Sequence, residues 1–166
     1  MSITVAKSAG FCFGVNRAIN IVNSLLDKNV KVSTLGPIIH NMEVVNELES
    51  RGCKAVDNID EVEKDATLVI RSHGVPKYVI DKLDENGVKY EDATCPFVKK
   101  IHNIVSNPDN KDGIVLIAGN SVHPEVEGII GHCSTECHTF KNSEEIDEIY
   151  NIILKKNMAS EEFRVF

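Results

Sequence analysis

The chain has 166 residues, of which 42% are hydrophobic, so it is long enough to bury one core or two small ones. Its formal net charge of −7 argues against a broad surface for nucleic acid, and any anionic ligand would have to be held by local donors. No hydrophobic run is long enough to span a bilayer, and residues 1–4 lack the features of a signal peptide, which predicts a cytoplasmic protein without a membrane partner.

Hydrophobic periodicity and turn residues predict alternating strands and helices. In chain order, the predicted elements are a strand at 3–7, a helix at 15–26, a strand at 30–34, a helix at 42–50, a strand at 67–71, a helix at 76–85, a strand at 88–92, a helix at 96–106, a strand at 114–118 and a helix that begins at 124. Residues 55–65 are predicted to be a polar connection or a weak turn of helix. Strands that alternate with helices at this spacing indicate an α/β fold with mainly parallel sheets.

Two cysteines share one predicted setting, between a strand and the start of a helix. Pro96 suits the first position of a helix, so Cys95 is expected at the cap, where free amide donors and the positive end of the helix dipole stabilise a negatively charged sulfur. Cys12 also precedes an amphipathic helical segment. In a reducing compartment the five cysteines are not expected to form disulfides, so metal binding or catalysis is the better functional interpretation of Cys12 and Cys95.

The same two cysteines are 83 residues apart, and this offset recurs. Residues 36–40 and 119–123 are also 83 apart and share a Gly-x-x-x-His pattern that ends at His40 and His123. The offset predicts a repeated small α/β unit with a cysteine and a histidine at equivalent places.

The chemically interesting side chains fall where a predicted strand ends and a helix or turn begins. They are Cys12, His40, His73, Cys95 and His123. In open α/β sheets this edge forms the ligand crevice, where histidines can donate to phosphate oxygens and cysteine thiolates can hold iron. The pattern therefore predicts a phosphorylated ligand beside a metal centre.

Structural explanations compete with these roles. A single buried cysteine is usually a small hydrophobic residue, which is the favoured interpretation of Cys53. A single histidine near a loop is more often solvated or capping than a ligand. Glu125 is most simply an acid that complements a helix dipole, and it is also a candidate proton donor two residues from His123.

Residues 132–138 contain two cysteines and two histidines, which raises the possibility of a zinc site. The segment lacks the second half of the usual structural finger, and on a strand the rings of His132 and His138 would not readily converge with both sulfurs. We expect an exposed turn around Cys133 that leads into a strand near Thr139 and Phe140.

Five motifs together resemble one enzyme family. In chain order they are Gly10–Val15, Ile39–Asn41, Ser72–Val75, Asp92–Pro96 and His123–Gly128. These segments resemble the signatures of the 4-hydroxy-3-methylbut-2-enyl diphosphate reductase family, the iron–sulfur enzymes that end the methylerythritol phosphate route to isoprenoids. The resemblance covers residues 3 to about 148.

The resemblance implies a role for each candidate residue. Cys12 and Cys95 would be two of three thiolate ligands of a [4Fe–4S] cluster, and Glu125 would deliver protons. The substrate diphosphate would be held by His40, His73 and His123. The implied reaction is reductive dehydroxylation of the substrate to isopentenyl and dimethylallyl diphosphate, with electrons from a ferredoxin or flavodoxin.

The resemblance also implies what is missing. The family needs a third cysteine ligand and a later segment that grips diphosphate, so this chain is expected to be a truncated form with low or absent activity. The family has three α/β units around a central cluster. Residues 1–95 are expected to form the first unit, residues 96–150 an incomplete second unit, and residues 151–166 a divergent tail.

Two functions of other classes remain open. One is a noncatalytic α/β protein that binds a phosphorylated ligand or a partner chain, and the other is a zinc-binding module. Iron with acid-labile sulfide indicates the cluster, whereas zinc without sulfide indicates the module.

Overall fold

The computed structural model describes residues 2–110, 113–155 and 164–165. The described helices are α1 (Phe13–Leu26), α2 (Met42–Ser50), α3 (Lys77–Glu85), α4 (Pro96–Val105), α5 (Pro124–Ile130) and α6 (Ser143–Lys155). The described strands are β1 (Val32–Leu35), β2 (Cys53–Val56), β3 (Thr67–Ile70), β4 (Tyr90–Asp92), β5 (Val115–Ala118), β6 (Cys137–Phe140) and β7 (Arg164–Val165). Short 3-10 turns lie at Ile59–Glu61 and Pro108–Asn110. The predicted α/β fold is confirmed.

The chain divides into two compact units. The first unit comprises Met1–Ser72 and Lys89–Cys95, and the second comprises His73–Val88 and Pro96–Phe166. This grouping assigns His73–Val88 to the second unit, which the contiguous sequence-based division did not anticipate. The division into family-type units at residues 95 and 150, with a tail from 151, stays a prediction.

The first unit contains a four-stranded sheet in the order β2-β1-β3-β4, and all its pairings are parallel. All four residues of β3 are buried, as expected for a strand inside a parallel sheet. Helix α1 buries the face formed by Gly14, Ala18 and Val22, which are spaced four residues apart. Ala18 and Val22 belong to the same apolar core as Val69 of β3, so the sheet fixes the position of α1.

The second unit contains a parallel sheet in the order β6-β5-β7. Its core joins Val115 and Ile117 of β5 to Val126 and Ile129 of α5. The end of α5 approaches the start of α3 closely: a Cβ placed on Gly131 would lie 2.3 Å from the Cβ of Pro76, so only glycine fits there.

Both units contain a strand–helix–strand segment with nearly the same spacing, β1-α2-β2 in the first and β5-α5-β6 in the second. Strand β1 begins at Val32 and β5 at Val115, an offset of 83 residues. Both are inner strands of their sheets: β1 lies between β2 and β3, and β5 lies between β6 and β7. The amide of Gly36 donates to the carbonyl of Val56 at 2.8 Å, and the amide of Gly119 donates to the carbonyl of Phe140 at the same distance. The predicted repetition of small α/β units is therefore seen in the backbone as well as in the sequence.

One local prediction was wrong, and one strand was missed. Residues 3–7 form no strand, and Ile3 and Val5 are exposed at 92% and 73%, so their apolar side chains pack on no described sheet. Residues 55–65 were expected to be a polar connection or a weak turn of helix, and a 3-10 turn lies there at Ile59–Glu61, but strand β2 at Cys53–Val56 was not predicted. Strand β2 escaped detection because its two middle residues are exposed and only its ends are buried.

No helix within the described residues is long and apolar enough to cross a membrane.

Candidate functional site

Cys12 is exposed and occupies the N-cap position of α1. Its carbonyl accepts the amide of Asn16 at 3.0 Å, and the Asn16 side chain donates to the carbonyl of Phe11 at 2.8 Å. The Cys12 side chain makes no capping hydrogen bond to the described backbone of α1. The predicted position before a helix is confirmed, although the strand expected ahead of Cys12 is absent from the described residues.

Cys95 is half-buried and follows β4 directly before α4 begins at Pro96, as predicted. Its sulfur packs on the first turn of α1 within the first unit. A Cβ built on the buried Gly14 would lie 2.6 Å from the Cys95 Sγ and 3.0 Å from its Cβ. The thiol of Cys95 therefore lies against the start of the helix that Cys12 caps, and this contact requires glycine at position 14.

Arg17 is a positioning residue that sequence reasoning missed. Its guanidinium donates to the carbonyl of Asp92 at 3.1 Å and to that of Thr94 at 3.3 Å. The amide of Cys95 donates to the carbonyl of Ser72 at 2.9 Å, which fixes the same loop from the end of β3. The only signal was that Arg17 lies one turn after Phe13 in the segment that follows Cys12.

His73 and His123 are brought together in the second unit. Their ring centroids are 6.0 Å apart, and the rings are inclined at 78°. His123 caps α5, and its Nδ1 accepts the amide of Glu125 at 3.3 Å. Because Nδ1 acts as an acceptor, this arrangement assigns the proton of a neutral ring to Nε2.

Glu125 lies in the first turn of α5 and is half-buried. Its backbone amide is the donor that His123 caps, so the fold fixes the backbone of Glu125 directly beside that ring. Both interpretations of Glu125, an acid near a helix start and a proton donor next to His123, agree with this position.

His40 is exposed in the first unit and directly precedes α2. Asn41, as predicted, caps that helix: its side-chain oxygen accepts the amide of Val44 at 3.0 Å. His40 and His123 therefore stand at comparable points of the two repeated units, one residue before a cap and at a cap.

The remaining cysteines occupy different environments. Cys53 is 6% exposed, and burial raises the pKa of its thiol to about 11. Cys133 and Cys137 are half-buried and hydrogen-bond to each other. Among the described residues, no group of three or more histidine, cysteine, aspartate or glutamate side chains is arranged to hold a metal ion.

The segment 132–138 differs from the expected exposed turn, because most of it is half-buried and both sulfurs pack on the core. The ring of His132 stacks on that of His102 at 4.1 Å and bonds to the carbonyl of Val75 at 3.1 Å. The Nε2 of His138 lies 2.7 Å from a carboxylate oxygen of Glu136. Both rings are engaged away from the sulfurs, which argues against zinc. The strand predicted near Thr139 and Phe140 is β6.

A family model described as LytB protein matches residues 3–163. The match extends past the residue near 148 at which the sequence resemblance was expected to end. Two relatives are named 4-hydroxy-3-methylbut-2-enyl diphosphate reductase. The one from Clostridioides difficile is 41% identical over 150 residues, and the one from Alkaliphilus oremlandii is 44% identical over 151; each match covers 90% of this chain and 54% of the relative. The chain thus spans about half the length of these curated relatives.

Solved structures give the same likeness. One is the structure of (E)-4-hydroxy-3-methyl-but-2-enyl diphosphate reductase, the terminal enzyme of the non-mevalonate pathway, with a TM-score of 0.78, 32% identity, and coverage of 99% of this chain and 66% of that one. The reductase from Plasmodium falciparum has a TM-score of 0.76, 29% identity, and coverage of 86% and 45%.

Substitution of Gly14 by alanine tests the packing of Cys95 on α1. Added to an ordinary helix position, the methyl group would stabilise the chain by up to about 1 kcal/mol. Here it must displace the Cys95 side chain, and overpacking costs roughly 1–3 kcal/mol. We therefore expect G14A to lower the urea midpoint of unfolding.

The double variant G14A/C95A removes the sulfur from the crowded contact and should recover part of the loss, with C95A alone as the reference. If G14A instead raises the midpoint, the Cys95 thiol does not lie on this turn.

Proposed function

The chain belongs to the LytB protein family, and from that premise we propose that it acts in the reductive dehydroxylation of 4-hydroxy-3-methylbut-2-enyl diphosphate to isopentenyl and dimethylallyl diphosphate. The observation that carries the proposal is the contact of the Cys95 sulfur with the helix turn that begins at Cys12. The relatives that bear the reductase name support it at 41% and 44% identity. Because the chain spans about half of their length, the activity of the whole enzyme is only proposed for this chain.

Cys12 and Cys95 would be two thiolate ligands of a [4Fe–4S] cluster. The donor chemistry of the first unit fits this role, since both thiols stand at helix starts, where amide donors and the helix dipole stabilise negative charge. Cys53 is buried, and Cys133 and Cys137 bond to each other, which leaves Cys12 and Cys95 as the suitable pair. With two thiolates in place of three, the chain by itself would hold the cluster weakly and turn over slowly.

His40, His73 and His123 would donate hydrogen bonds to the diphosphate. His123 is the best-supported of the three, because its Nδ1 accepts the amide of Glu125 and a neutral ring in that state carries its proton on Nε2. His73 lies edge to face with that ring and can contact the same anion. His40 is assigned by the repeated position before a helix. Local donors of this kind are needed because the chain as a whole is acidic.

Glu125 would deliver the proton that allows the substrate hydroxyl to leave as water. The backbone of Glu125 is fixed beside His123. Its carboxyl group would therefore lie within reach of a ligand bound to that ring and could transfer a proton to it. When bound, the cluster would supply electrons from a ferredoxin or flavodoxin and Lewis acidity at an open iron. The protein residues hold the diphosphate, orient the hydroxyl and provide the proton.

Iron retention tests the ligand assignment. After anaerobic incubation with iron and sulfide, C12S and C95S should each retain much less iron and acid-labile sulfide than the parent chain, because each loses one of two thiolates. The matched control is C53A, which removes a buried thiol and should retain as much as the parent. If C12S and C95S both bind iron and sulfide like the parent, the assignment is wrong. Zinc without sulfide in the parent would indicate a different metal site.

Calorimetric titration with inorganic pyrophosphate tests the anion site. H40A, H73A and H123A should each weaken binding about tenfold, the loss expected for one hydrogen bond to a charged group. E125Q should bind almost like the parent, because its proposed task is proton delivery. H138A is the matched histidine control, since His138 is engaged with Glu136. The site is wrongly assigned if H123A binds like the parent or if E125Q alone abolishes binding.

A further inference from the structure

Cys133 and Cys137 lie at the two ends of the connection between α5 and β6. Cys133 is in the turn that follows Ile130, and Cys137 is the first residue of β6. Their side chains hydrogen-bond to each other, and both pack against the core of the second unit. The Cys133 sulfur also donates to the carbonyl of Ile129 at 3.4 Å. The two thiols therefore interact, pack on the same core and are separated by three residues.

The segment between the two cysteines is held in place from outside. The Ser134 hydroxyl donates to the carbonyls of Val105, at 3.2 Å, and Asn107, at 2.9 Å. The Thr135 hydroxyl donates to the carbonyl of Gly113 at 2.6 Å. These bonds keep the turn closed, so each sulfur meets the other at a high effective concentration.

The flanking histidines do not compete for the sulfurs. His132 stacks on His102 and bonds to Val75, and His138 bonds to Glu136. The pair therefore consists of two neighbouring thiols without a further soft ligand, which suits sulfur exchange better than metal binding.

We propose that Cys133 and Cys137 form a redox-active dithiol that a low-molecular-weight disulfide, such as oxidised glutathione, converts reversibly to an intramolecular disulfide. This pair is separate from the thiols assigned to the cluster, and the proposal does not rest on the proposed reductase activity.

The exchange has two balanced steps. The Cys137 thiolate attacks one sulfur of the small disulfide, a mixed disulfide forms, and the first small thiol leaves. The deprotonated Cys133 sulfur then attacks the Cys137 sulfur, closes the protein disulfide and releases the second small thiol. Two protein thiols are oxidised, one small disulfide is reduced, and the two protein protons end on the two released thiols.

Cys137 is the attacking residue in this scheme. The hydrogen bond from Cys133 lowers the pKa of Cys137 to about 7, against the opposing effect of burial. The same contact raises the pKa of Cys133, and burial adds to that shift. Near neutral pH the pair as a whole therefore loses its first proton, because the remaining thiol can hydrogen-bond to the thiolate.

Peptide mapping tests the proposal on the full, metal-free chain. The reduced protein is equilibrated with reduced and oxidised glutathione, quenched with acid, alkylated and digested with trypsin. Cleavage after lysine and arginine leaves both cysteines on the peptide 112–141, whereas Cys12, Cys53 and Cys95 fall on the separate peptides 8–17, 52–54 and 90–99. We expect peptide 112–141 to escape alkylation and to weigh about 2 Da less than its reduced form, the mass of the two hydrogens lost on forming a disulfide.

Three variants complete the experiment. C133S and C137S should each accumulate one glutathione on the remaining thiol, because no neighbour is left to displace it. C53A should form the disulfide like the parent. The proposal is overturned if peptide 112–141 stays reduced, carries two glutathiones or links to another peptide.

Discussion

The packing of the Cys95 sulfur on Gly14 is the contact on which the placement of the Cys95 thiol at the start of α1 depends. It places a half-buried thiol on the first turn of a 14-residue helix whose cap is a second, exposed cysteine. Two features of the fold hold it there: the parallel sheet that delivers β4 to this edge, and the Arg17 guanidinium that binds the loop after β4. A side chain larger than hydrogen at position 14 would separate the thiol from the helix start.

The second unit repeats part of this arrangement with different side chains. Strands β1 and β5 are each followed by a glycine whose amide bonds to the neighbouring strand, and then by a histidine next to a helix start. In the second unit the cap itself is His123, and its bond to the Glu125 amide orients the ring. The first unit thus has the Cys12 and Cys95 thiols at helix starts, and the second unit has the His123 ring at the start of α5. The connection after α5 carries a further pair of thiols.

Much of the fold was readable from the sequence because its buried strands are continuous apolar runs bounded by turn residues. Thr67–Ile70 and Val115–Ala118 were predicted to within a residue, and Pro96 and Pro124 marked helix starts. The sequence was misleading at 3–7, where apolar residues have no described sheet to join, and at Cys53–Val56, where a short edge strand lacks an apolar run. The contacts of Arg17 and the pairing of Cys133 with Cys137 were not predictable, because both depend on tertiary packing. The roles of Cys12, Cys95, His40, His73, His123 and Glu125 stay predictions.

The most direct test of the central claim, that Cys12 and Cys95 hold iron, is to measure iron binding by a variant that has only these two cysteines. The variant C53A/C133S/C137S retains these two cysteines alone, because the chain has five. After anaerobic reconstitution, its iron and acid-labile sulfide should equal those of the parent, since the removed thiols are buried or bonded to each other. A folded variant that loses iron and sulfide would contradict this claim, because iron binding would then depend on Cys53, Cys133 or Cys137.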